Sequence, residues 1–141
     1  MYVLQRLLIF VMLGAAIVGC SSGGSSALSS PWEQALEQVR SAVAGGRGYS
    51  LQAVEVTASP TLLRIAIGDA QLAQADQLTR ENAANAIVAA AENVLPQQAV
   101  LATVRVINVA IIHPGPSAET HTEDVLEFRK GPSGRFAHHV T

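Results

Sequence analysis

Four histidines, His113, His121, His138 and His139, are the side chains of this 141-residue chain best suited to metal or proton chemistry. A mononuclear zinc site needs three or four ligands converging on one point. His138 and His139 are adjacent in a segment that reads as a strand, so their side chains take opposite faces. Neither H-x-x-x-H nor H-E-x-x-H spacing occurs. His113 and His121 flank one loop, with Glu119 and Glu123 nearby. A metal site would have to be assembled from these residues, and exposed loop and edge histidines are the expectation instead.

Other chemistry finds as little support. There is no G-x-S-x-G elbow for a serine nucleophile. Gly45-Gly46-Arg47-Gly48 follows a helical segment rather than opening one, so it does not read as a phosphate loop. Asp69 and Asp76 are too few and too far apart for a calcium loop, which gathers six or more oxygen ligands. The glutamates are scattered, with no pair that can be set across a cleft. No cofactor and no enzymatic activity are expected.

The only cysteine, Cys20, closes a hydrophobic N-terminal segment. Arg6 is the one charge before it, and Leu7–Val18 is a twelve-residue apolar run. A spanning helix needs about 20 apolar residues, so this run fits the core of a secretory signal instead. Ile17-Val18-Gly19-Cys20 resembles the lipobox of bacterial lipoprotein precursors at every position. The likeness covers about the first 20 residues and says nothing of the rest. It implies cleavage between Gly19 and Cys20, a diacylglyceryl group on the Cys20 thiol, and acylation (palmitate) of the new amine. Two or more chains hold a protein stably on a membrane, where one gives marginal binding. In well-studied Gram-negative lipoproteins Asp after the cysteine favours inner-membrane retention. Ser21 stands there in this chain, which leans toward the periplasmic face of the outer membrane.

Cleavage would leave 122 residues, one domain's worth, without a second cysteine for a disulfide. The mature charge would be −3, with Lys130 the only lysine. No basic face is evident, which argues against nucleic-acid binding. Trp32, Tyr49, Phe128 and Phe136 are too few for a stacking platform. Residues 20–30 form a lipidated cysteine and a Ser/Gly tether, and residues 31–141 the periplasmic domain. Ten such tether residues span about 17 Å as a coil and at most about 36 Å extended. The domain is therefore expected to stay beside its own membrane.

Within the domain, Ser30, Pro31 and Glu33 predict a capping box opening a helix over Pro31–Ala44, ended by Gly45-Gly46. Trp32 is expected to cap the core. Tyr49–Thr57 and Leu62–Ile67 read as two strands of an antiparallel hairpin. Gly68–Leu78 reads as a loop or a short irregular helix. Thr79 is the expected N-cap of a second helix over Arg80–Leu95. Ala99–Ile112 is β-branched and continuous enough to be a central strand, interrupted by Arg105 and Asn108. After His113-Pro114-Gly115-Pro116 and a polar loop over Ser117–Thr122, Glu123–Lys130 and Arg135–Thr141 predict a hairpin around Gly131-Pro132-Ser133-Gly134.

The order α-β-β-α-β-β-β predicts an α+β two-layer sandwich, with two helices on one face of a mainly antiparallel sheet. The expected role is a membrane-anchored, non-enzymatic accessory or assembly protein of an envelope complex. It would be held to the membrane through lipid on Cys20, and would bind a protein partner by its sheet edges or the Glu123–Thr141 hairpin. The alternative is a small-ligand or metal-binding lipoprotein, with its site between the second helix and the sheet or near the histidines.

Overall fold

The computed structural model describes residues 29–117 and 119–140. The signal segment, Cys20 and the tether up to residue 28 lie outside the described residues. Helix α1 spans Pro31–Arg47. Its capping box forms as predicted: the Ser30 hydroxyl accepts the Glu33 N–H at 3.2 Å, and the Glu33 carboxylate accepts the Ser30 N–H at 2.8 Å. Val39 and Val43 are buried, and Trp32 is half-buried against the core. The expected stop at Gly45-Gly46 does not occur. The helix runs through both and ends at Gly48, whose φ of 71° is the left-handed cap and whose N–H donates to Ala44.

The first strand is shorter than expected. Ser50 caps a single 3-10 turn over Leu51–Ala53, and β1 is only Val54–Ala58. β2, Leu62–Ile67, pairs antiparallel with it in the register Val56↔Ile65, as the hairpin reading required. Gly68–Leu78 resolves into a short helix α2, Ala70–Gln74, and the first residues of α3, Gln77–Val94. Asp69 and Asp76 cap these helices, accepting the N–H groups of Leu72 and Thr79 at 2.8 and 2.7 Å. The cap of α3 is thus Asp76 rather than Thr79, because a carboxylate three residues upstream takes the Thr79 donor.

The predicted strand Ala99–Ile112 is a strand only in its second half. A 3-10 turn, Ala99–Leu101, and an irregular link precede β3, Val106–Pro114. Leu101 and Val104 are buried all the same, because the link closes the end of the core. β4 is His121–Lys130, starting inside the predicted loop. β5 is confined to Phe136–His138, and Val140 beyond it is 80% exposed. Gly134, at φ 82°, makes the predicted turn between them.

The five strands lie in the order β1-β2-β3-β4-β5, so β3 is central as predicted. Three pairings are antiparallel. β2 and β3 are parallel, joined by the crossover that carries α2 and α3. The fold is α+β with two layers: α1 and α3 pack together on one face of the sheet. Leu63, Ile65, Ile67, Ile107, Val109, Ile111 and Phe128 point into that layer and are fully buried. Ala83, Ala84, Ile87 and Ala91 meet them from α3. Small residues on the helix let it lie close to the branched side chains of the sheet. The alternate sheet positions form the other face, where Arg64, Asn108, Glu127 and Arg129 stand among Ala66, Ala110 and Val125 and no described helix covers them. Among the described residues no helix is long and apolar enough to cross a membrane.

Candidate functional site

The histidines do not converge. His113, near the end of β3, places Nε2 2.8 Å from Asp124 Oδ2. His121, at the start of β4, lies 3.4 Å from Glu123 Oε1. Glu119 is not a partner of either histidine among the described contacts. His138 stacks on Phe128, its opposite number in the β4–β5 register, with ring centroids 5.2 Å apart. His139 follows it, and its N–H donates to the Glu127 carbonyl. Among the described residues no group of three or more His, Cys, Asp or Glu side chains is placed to hold a metal ion.

Asp124 is the centre of a small cluster that the sequence reading missed. It sits opposite Ile111 in the β3–β4 register, on the same face as Leu126 and Phe128. Its carboxylate therefore turns toward α3, where Arg80 Nε is 3.4 Å away. The period-two alternation of β4 carried that signal, since it put Asp124 on the helix side. His113 hydrogen-bonds this carboxylate, and among the described residues no hydroxyl joins the pair. The arrangement fastens the start of α3 to the sheet and offers no nucleophile.

The open face carries two ion pairs. Arg64 on β2 donates to Glu123 at 2.5 Å, and Arg129 donates to Glu127 at 2.5 Å. The Arg64 hydrogen bond holds the Glu123 carboxyl below the usual glutamate range, against a smaller opposing push from desolvation. Of the two interruptions predicted in the central strand, Arg105 is exposed ahead of β3. Asn108 is half-buried between Arg64 and Glu127, and its Oδ1 has no hydrogen-bond partner.

Two open clefts flank α3. One, about 570 Å³, lies between the link after α3 and the β4–β5 turn, with Leu101, Phe136, Lys130 and Glu92 in its wall. The other, about 550 Å³, lies between the first turns of α3 and the outer side of β4, with Arg80, Glu81, Val125 and Val140 in its wall. The second cleft runs beside an incomplete strand. β5 pairs with β4 only at Phe128, Arg129 and Lys130, so the first part of the ten-residue strand has no outer neighbour among the described residues.

Compared with protein-family models, with curated proteins and with solved structures, the chain has no significant match in any of the three.

Proposed function

We propose that this chain is a lipid-anchored bacterial envelope protein whose small domain binds another protein and performs no catalysis of its own. Lipid on Cys20 would hold it to the periplasmic face of the outer membrane, as an accessory or assembly subunit. The observation that carries the binding role is the outer edge of β4, unpaired from His121 to Leu126 among the described residues and lying beside an open cleft. A strand edge presents unpaired N–H and C=O groups, and natural proteins cover or blunt such edges unless something pairs with them.

The test is co-purification in detergent of the full precursor, expressed in its own cell, against a Cys20→Ala control. A defined partner recovered with the wild type supports the reading. Recovery with both forms puts recognition in residues 31–141, and recovery with the wild type alone makes membrane placement part of assembly. Repeated failure to recover any envelope protein would remove the basis for a binding role. A Cys20→Ala form that differs from the wild type by the substituted side chain alone, with no acyl mass lost, would remove the anchor.

A further inference from the structure

The sheet treats its edges unequally. On the β1 side, Arg40 of α1 reaches across and donates to the Val54 carbonyl at 2.8 Å, which blunts that edge. β5 is only three residues long. β4 is left bare from His121 to Leu126 among the described residues. Two bonds fix which of its groups face outward. The Lys130 N–H donates inward to Arg105, and the Glu127 carbonyl accepts from His139 on the β5 side. Backbone groups alternate along an antiparallel strand, so Glu123 and Val125 turn both N–H and C=O outward.

Two independent observations gather at the same place. Leu51, Leu78, Val125 and Val140 are the exposed large hydrophobic side chains of the described domain. Val125 and Val140 line the cleft beside this edge, and Leu78 adjoins Gln77, which lines it too. Glu81 is half-buried in the helix wall of that cleft, and its carboxylate accepts from the Gln77 amide at 2.8 Å as its one side-chain hydrogen bond among the described residues. Its neighbours are compensated: Asp124 by Arg80, Glu123 by Arg64 and Glu127 by Arg129. Glu81 has no cation within ion-pair distance among the described residues.

We propose that an extended segment of a partner protein adds beside β4 at Glu123–Val125, with aliphatic and basic residues alternating along it. This deepens the protein-binding reading and rests on it. Successive side chains of an added strand point to opposite faces. Those facing α3 meet Glu81 and carry Lys or Arg. Those on the other face pack on Val125 and are aliphatic. A second copy of this chain is a poor occupant. The β4 positions that a second copy would turn toward α3, Thr122, Asp124 and Leu126, bring no basic side chain to Glu81.

The experiment uses the full chain in detergent micelles and three fluorescent peptides. One alternates Lys and Val, one alternates Glu and Val, and the third has the Lys–Val composition broken by a central proline. Fluorescence anisotropy is expected to show saturable binding of the first alone. Val125→Pro removes one outward N–H, keeps the charge and leaves the β3 ladder intact. It should weaken that binding by about three- to tenfold, the worth of one or two backbone hydrogen bonds. Glu81→Lys should shift preference from the Lys–Val to the Glu–Val peptide. Equal binding of the two alternating peptides, undiminished binding to Val125→Pro, or no binding of either would overturn the proposal. If Val125→Pro melts early, the Glu81→Lys charge swap decides alone. Co-purification of a partner whose binding ignores both substitutions would leave the binding role standing and refute this site.

Discussion

Glu92 of α3 accepts the backbone N–H of Phe136 at 2.6 Å, across 44 residues of sequence. One carboxylate thereby fixes where β5 begins, and Arg135 approaches the same group at 3.7 Å. The side chain is only 17% exposed, so its loss cannot be made good by bulk water alone. Glu92→Ala is expected to cost about 1–3 kcal/mol, the range for a buried donor left without a charged acceptor. Denaturant unfolding measures the loss, and hydrogen exchange should show faster exchange at Phe136–His138 than in β3.

Ile107 is fully buried near the start of the central strand, opposite Phe128. Ile107→Ala should destabilise the domain by about 2–5 kcal/mol, because transfer and cavity terms add in a packed core. Val140→Ala, at an 80% exposed position, should leave the unfolding midpoint unchanged. Equal effects from the two would mean that the core has been placed wrongly.

Two glycines three positions apart in and after α1 should respond in opposite directions. Gly45 is helical and a Cβ there meets no atom within 4 Å. Gly45→Ala should stabilise by about 0.5–1 kcal/mol. Gly48 holds a left-handed φ of 71°. Gly48→Ala should destabilise by about 1–2 kcal/mol. Thermal unfolding of the two variants beside the parent checks the sign of each.

The Arg64–Glu123 pair predicts a pH dependence. The Glu123 carboxyl is lowered in the folded state, first by its hydrogen bond from Arg64, with His121 a lesser contributor. A lowered folded-state value means that the folded chain binds fewer protons than the unfolded chain. The stabilisation is therefore present above the ordinary glutamate range and is lost as pH falls through the lowered value. Arg64→Ala should move the Glu123 titration upward and make stability fall less steeply in acid. A carboxyl carbon NMR titration reads this directly, and an unmoved midpoint would show that the pair is not formed.

Much of this fold could be read in the chain, and the misreadings have physical causes. β2 and the Ser30–Glu33 capping box were readable because each rests on local chemistry alone. The end of α1 was not, because three glycines compete there and only the one that takes a left-handed φ stops the helix. Thr79 can cap a helix, but Asp76 takes its N–H first. The stretch from Ala99 to Arg105 has strand-like residues, yet Leu101 and Val104 bury by closing the core end, a tertiary demand that periodicity does not express. For the candidate site, the hairpin at Glu123–Thr141 was legible and the bare edge was not. Its exposure depends on β5 stopping at His138, which follows from how few residues of the last strand find a partner. Arg80 and Asp124 escaped notice because they meet only after the crossover folds α3 over β4.

The strands stand in the sheet in the order in which they occur in the chain. Three of the four pairings are therefore between consecutive strands joined by short turns, and each can close as soon as its second strand is made. One pairing, β2 with β3, must wait for the whole helical crossover. Loop closure grows only logarithmically with length, so the delay is modest in free energy but real in time. Assembly then has a single long-range commitment. Until it is made, the β1–β2 hairpin and the β3–β5 meander are two half-sheets, each with an apolar face open to unwanted association.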